Sequence, residues 1–261
     1  MRYTKKIAAY LQSAVTLRGG NLRGLPLIPK SLWPSVPHNR SLYNEFVLWI
    51  ARLQLPEVRQ IVDVGANHGD FSQAACALFP NASTLLVEPL PTLHAELERR
   101  CAQRGPSWQL AKCALSRERG SATLHVDAAH DDIGSLAGFS EDYLRANPAS
   151  RDSKEFVCEV RTLDDLCAEQ GIGKIDLLKV DVEGFEFEVL EGAAKMLRAT
   201  EAVVVEVSLV RRPSDTDALV RMLNLLHGAG FGLVQALPSY FSAGKPWLPL
   251  EFNLLARRQG A

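Results

Sequence analysis

The sequence predicts an α/β protein built on a doubly wound, mostly parallel sheet, and three stretches predict it. Ile61-Val62-Asp63-Val64 is a short, largely β-branched run of the kind buried on both faces of a parallel sheet. It breaks at Gly65-Ala66-Asn67-His68-Gly69 and passes into a helix-like pattern of Phe71, Ala75 and Leu78 or Phe79. Strand, glycine turn and helix N-terminus form the junction at which such sheets receive a nucleotide-bearing cofactor. The alternation returns later in the chain. Ile175–Val180 is followed by Phe185, Val189, Ala193 and Leu197, and Ala202–Val207 by Leu219, Met222, Leu223 and Leu226.

The other elements follow in order. Ile7, Leu11 and Val15 share a helical face, and residues 18–40 read as an irregular arm rich in Gly, Pro and Arg. Ser41 has the chemistry of an N-cap for a helix carrying Leu42, Phe46, Trp49, Ile50 and Leu53, expected to pack beside the first strand. A second strand, Thr84–Val87, ends in Glu88-Pro89. Pro91 suits an early position of the next helix, whose face is Leu93, Leu97 and Cys101. Trp108–Cys113 reads as a third strand leading into Ala114-Leu115-Ser116.

Residues 120–161 interrupt the alternation. Ser121–Val126 alternates like a strand, residues 131–136 read as a loop, 139–155 as a polar mobile segment, and Phe156–Val160 as extended. Such an insertion is the natural place for a cover over a substrate. Leu163–Cys167 forms a short helix, and Phe231–Ala236 with Phe252–Ala256 closes the sheet. The expected organisation is one domain over 56–261 behind a helical and irregular extension over 1–55.

Composition sets broad limits. With 47% hydrophobic and 23% charged residues, the chain matches an ordinary globular protein. A net charge of −1 argues against nucleic acid as a partner. Residues 1–60 nevertheless carry nine Lys or Arg against Glu45 and Glu57, leaving −8 for the remainder. That basic arm leaves peripheral contact with a membrane open, and its Leu and Trp residues suit docking on a second copy in a homodimer. No apolar run approaches the roughly 18 residues of a membrane span. Five cysteines with no C-x-x-C spacing read as reduced thiols in a cytoplasmic protein.

The polar residues at the strand ends point to chemistry. Gly65 and Gly69 lie four apart, so the G-x-G-x-x-G pattern of dinucleotide binding is absent. Asp63 would set a carboxylate at the end of the first strand, which suits a cationic, hydroxyl-rich ligand better than a pyrophosphate. S-adenosylmethionine, with its sulfonium, ammonium and ribose diol, is such a ligand. Glu88 follows Gly69 by 19 positions, the spacing of an acid that accepts ribose hydroxyls. Lys179 and Asp181 share one face of their strand, so an ion pair with Asp181 or Glu183 is one reading of Lys179. The other puts Asp181 and Glu183 beside the reactive end of a cofactor, with Glu206 at the matching edge of the next strand.

The stretches DVGANHGDFS, VEP, ALS and above all LKVDVEGFEFEVLEGA resemble the FkbM-type family of S-adenosylmethionine-dependent methyltransferases, over roughly Ile61–Glu206, with EFNLLARR resembling the family's closing strand. The resemblance implies a Rossmann-like class I methyltransferase fold: seven strands, mostly parallel, with the last antiparallel. It also implies methylation of a hydroxyl on a sugar, glycolipid or natural-product acceptor.

On this reading Asp63, Gly65, Asn67 and Gly69 hold the methionine end, Glu88 the ribose, and the chain near Cys113 and Ala114 the adenine, with Ala66 a further cofactor-binding residue of the turn. Asp181, Glu183 and Glu206 are the candidate bases, with His68 as a further one. No residue spacing requires a metal. A nicotinamide-dependent oxidoreductase and a non-catalytic S-adenosylmethionine-binding scaffold are the competing classes.

Overall fold

The computed structural model describes residues 40–127, 134–136, 138, 141, 144, 151, 153–209, 217–239 and 250–260. The expected helix at Ile7–Val15, the arm up to residue 39 and residues 131–133 lie outside them.

A seven-stranded sheet forms the centre. In chain order its strands are β1 (Gln60–Val64), β2 (Ser83–Val87), β3 (Trp108–Ala111), β8 (Ile175–Val180), β9 (Thr200–Ser208), β10 (Phe231–Pro238) and β11 (Glu251–Arg258). They lie in the order β10-β11-β9-β8-β1-β2-β3. β1 runs parallel to β2 and β8, β2 to β3 and β8 to β9, whereas β11 is antiparallel to both β9 and β10. The sheet is therefore the mostly parallel α/β sheet with an antiparallel last strand that the sequence led us to expect. The strand order turns at β1, and the ends of strands about such a point are where ligands bind in open α/β sheets.

The alternation of side chains divides the core in two. Ile61, Leu86, Leu177 and Val204 face one layer, with Phe46, Trp49, Phe71 and Leu97. Val62, Val64, Leu85, Leu178, Val180, Val203 and Val205 face the other, with Leu163, Leu197, Met222 and Leu226. Complete burial of each such side chain contributes roughly 1.5–3 kcal/mol.

Helices α1 (Arg40–Arg52), α2 (Asp70–Leu78) and α3 (Pro91–Arg104) cover the first face. Phe46 of α1 stacks edge-on against Phe71 of α2 at 5.4 Å, so α1 shares the main core. The helix begins at Arg40, one residue before the Ser41 expected as its cap. Helices α4 (Leu163–Glu169), α5 (Glu186–Glu191), α6 (Ala194–Arg198) and α7 (Ala218–Gly228) cover the second face. α5 and α6 were expected as one helix. The chain breaks between them where Gly192 packs so closely on residue 116 that a Cβ there would lie 2.2 Å from the Ser116 carbonyl oxygen.

The third strand also differs from expectation. It ends at Ala111, and the chain switches to a second sheet through β4 (Ala114–Leu115). That sheet has the order β4-β7-β5-β6, with β5 at Gly120–Val126, β6 at Gly134–Ser135 and β7 at Lys154–Arg161. Gly134-Ser135, expected as loop, pairs with Val126 and His125. Lys154 and Glu155, expected in the mobile segment, are strand residues opposite Val126 and His125. All five cysteines are free thiols. Among the described residues no helix is long and apolar enough to cross a membrane.

Candidate active site

A crevice opens at the C-terminal ends of β1, β2 and β8. It encloses about 620 Å³, open solvent at its mouth included. The turn after β1 forms its floor. The Gly65 and Ala66 amides both donate to the Val87 carbonyl, at 3.0 and 3.1 Å, so the turn is fixed to β2. Gly65 has φ 72°, and a Cβ on it would stand 1.8 Å from the Asp181 carbonyl oxygen. Glycine is thus required by the neighbouring strand as well as by the turn. Asn67 is left-handed at φ 50°, and Gly69, at φ 77°, precedes the first turn of α2.

Glu88 stands at the end of β2, only 6% exposed. Its carboxylate accepts the Asn67 amide at 2.7 Å and the Leu90 amide at 2.9 Å. Burial pushes its pKa up, against the opposing effect of those two amides. The residue therefore holds the glycine turn in shape while lining the crevice.

Behind the turn lies a buried charge network. Asp63 and Lys179 are side-by-side partners in the β1–β8 register. The Lys179 ammonium donates to the Gly65 carbonyl at 2.6 Å and lies 3.4 Å from Asp181 and 3.5 Å from Asp63. Ser72 Oγ donates to the other Asp63 oxygen at 2.7 Å.

The segment after β8 is bent back on itself. Glu183 is left-handed at φ 60° and Gly184 follows at φ 105°. A non-glycine residue in this region is uncommon and is held there by its surroundings. Glu186 supplies part of the hold, since one of its oxygens accepts the Val182 and Gly184 amides, both at 3.0 Å. Ser135 of β6 supplies another, donating its hydroxyl to the Glu183 carbonyl at 2.7 Å. Carboxylate oxygens of Asp181, Glu186 and Glu206 come within 4.8 Å of one another. Burial first, and then the Asp181 charge, raise Glu186 to about 7. Burial followed by the Asp181, Glu251 and Glu186 carboxylates pushes Glu206 well above the usual carboxylate range.

Of the residues singled out in the sequence, Gly65, Asn67, Glu88, Cys113, Ala114, Asp181 and Glu183 line the crevice together. Cys113 reaches it because the chain changes sheets there; burial raises its thiol pKa to about 11, so it stays an inert thiol. Asp63, Ala66 and Gly69 are placed otherwise, outside the crevice lining. Asp63 is fully enclosed, with its carboxylate turned to Ser72 and Lys179 instead of the opening. Ala66 is buried, and Gly69 closes the turn by donating its amide to the Ala66 carbonyl at 2.7 Å. Glu206 borders a neighbouring cavity. His68 turns away to α3, its Nδ1 2.8 Å from Glu96.

Glu186 and Ser135 were missed in the sequence. Glu186 carried a signal, the spacing of an acid that reaches back to amides before its own helix, as in a capping box. Ser135 carried none, since its partner is far along the chain. Leu124, Gly134 and Leu136 of the inserted sheet also line the crevice, on the side where a cover was expected.

An open, mostly parallel α/β sheet with an acid-lined crevice at its switch point defines a Rossmann-like cofactor-binding protein. Residues 63–233 match the Methyltransferase FkbM domain, and the chain belongs to that family. It is 33% identical to the 31-O-demethyl-FK506 methyltransferase FkbM of Streptomyces tacrolimicus, over 67% of this chain and 73% of that one. Methyltransferase sdnD of Sordaria araneosa is 29% identical over 78% of this chain and 83% of its own length. The 2-O-methyltransferase NoeI of Sinorhizobium fredii is 30% identical over 57% of this chain. The match spans 63% of NoeI, less than two thirds of that protein.

Proposed function

We propose that the chain is an S-adenosylmethionine-dependent O-methyltransferase that acts on a hydroxyl of a sugar, glycolipid or other natural-product acceptor. Family membership supports the reaction class, and NoeI and FkbM are both named for O-methylation. The donor set suits the cofactor. Glu88, Asp181 and Glu183 offer carboxylates to hydroxyls and positive charge, while Val87, Leu115, Leu124 and Leu136 offer apolar walls to a purine. When bound, S-adenosylmethionine would supply a methyl group already activated on a sulfonium.

The chain's own part is to bind, orient and deprotonate the acceptor. Glu88 would hold the ribose, with Gly65 and Asn67 beneath the methionine end and Cys113 and Ala114 at the adenine edge. Asp181 would accept the acceptor proton. The observation that carries this role is its double placement: it lines the crevice, and its carboxylate lies within 4.8 Å of those of Glu186 and Glu206, which border the adjoining cavity. Holding the acceptor in line can supply several kcal/mol, and a positioned base a further factor of roughly 10²–10⁴. The five free thiols suit a reducing compartment, the cytoplasm.

Asp181→Asn tests the assignment. The variant should bind S-adenosylhomocysteine as the wild type does and lose roughly 10²–10⁴-fold in methyl transfer to a mixed pool of sugar and natural-product acceptors. Wild-type turnover in the variant would remove Asp181 from the chemistry.

A further inference from the structure

A second cavity of roughly 360 Å³, its mouth included, lies across the 181–187 segment from the crevice. Its lining includes Glu186 and Phe187 of α5, Glu206 and Ser208 of β9, and Arg221 and Met222 of α7. The bend at Glu183-Gly184 makes the two spaces neighbours. Asp181, Val182, Glu183 and Phe185 border the crevice, while Gly184, Glu186 and Phe187 border the second cavity.

Arg221 sets the chemistry of this space. Its guanidinium lies over the Phe187 ring, 4.1 Å from the centroid. Among the described residues it makes no hydrogen bond and no ion pair, although two glutamates border the same cavity. A guanidinium held flat by an aromatic ring keeps its edge donors for another partner, and its fork matches a carboxylate or a phosphate. Glu206 and Ser208 bring oxygen groups suited to hydroxyls.

We infer that this cavity is the acceptor subsite, and that Arg221 selects a hydroxylated acceptor carrying an anionic group, a carboxylate or a phosphate. The inference rests on the methyltransferase reading above. In it, Arg221 holds the anionic group, and the hydroxyl to be methylated points toward Asp181. Burial raises the pKa of both bordering glutamates, to about 7 for Glu186, which weakens their opposition to an anion beside Arg221.

The test uses the full chain saturated with S-adenosylhomocysteine, which separates this inference from the reading beneath it. Failure of S-adenosylhomocysteine to bind the wild type would overturn the cofactor assignment, and this inference with it. With the cofactor product bound, glucuronate, glucose 1-phosphate and glucose are titrated in turn, with binding read by saturation-transfer NMR.

At least one of the two anions should bind ten times or more tighter than glucose, and the tighter of them identifies carboxylate or phosphate as the recognised group. Arg221→Gln should abolish that preference at unchanged S-adenosylhomocysteine affinity, and Arg221→Lys should restore part of it. Equal binding of all three compounds, binding of none, or a preference that survives Arg221→Gln would each overturn the inference.

Discussion

The ammonium of Lys179 meets the carbonyl of Gly65 at 2.6 Å, joining the end of β8 to the turn that follows β1. The same ammonium lies between the carboxylates of Asp63 and Asp181. Burial opposes its charge, but Asp181 and Asp63 outweigh that and hold its pKa above the ordinary lysine value. One buried cation therefore fixes the shape of the crevice floor and balances two acids, Asp63 behind it and Asp181 at its lining.

Removing that cation should be costly. Lys179→Met leaves Asp63 buried with Ser72 as its remaining partner, and breaking a buried pair from one side costs about 3–5 kcal/mol. Urea unfolding followed by circular dichroism measures it. A loss below about 1 kcal/mol, the usual worth of an exposed pair, would show that the network is not holding the fold.

Gly65→Ala combines two penalties that a control separates. Gly171 has a similar φ of 69° but nothing within 4 Å of a Cβ, so Gly171→Ala reports the conformational cost alone, roughly 1–2 kcal/mol. Gly65→Ala adds the collision with the Asp181 carbonyl and should lower the melting temperature further. It should also weaken S-adenosylhomocysteine binding, which Gly171→Ala leaves alone. Equal melting temperatures for the two variants would contradict the geometry.

The parts of this architecture that the sequence revealed are those encoded locally. Ile61–Val64 and Ile175–Val180 were legible because short, mostly apolar runs buried on both faces need no partner to be recognised. Glu88 was legible because its distance from the glycine turn is set by one intervening helix and strand. What was illegible depends on contacts across the chain. Gly192 gives no hint that the Ser116 backbone packs on it, and Gly134-Ser135 has no strand pattern until β5 lies beside it. Asp63 sits at a strand end, which suggested a ligand contact, yet the register places Lys179 next to it. That pairing draws the carboxylate inward.

The acid cluster predicts a pH dependence. Glu186 has its pKa raised from 4.5 to about 7 in the folded protein, so between those values the native state binds more protons than the unfolded chain. Stability from this group is then complete below about pH 4.5 and declines as pH rises through about 7. Glu206, raised in the same direction, adds to the decline. Glu186→Gln keeps an oxygen for the Val182 and Gly184 amides but cannot ionise. Between pH 5 and pH 8 the wild type should lose on the order of 1–3 kcal/mol relative to this variant in urea unfolding. Parallel pH profiles would mean that Glu186 titrates as an ordinary surface acid.

The crevice beside Glu88 carries the central claim, and calorimetric titration of the full chain with S-adenosylhomocysteine tests it most directly. Because Glu88→Ala also frees the Asn67 and Leu90 amides, Glu88→Gln is measured beside it, with circular dichroism to confirm that each variant is folded. The account predicts one site in the wild type, weakened at least tenfold in both folded variants. No heat of binding in the wild type, or affinity unchanged by loss of the Glu88 carboxylate, would contradict it.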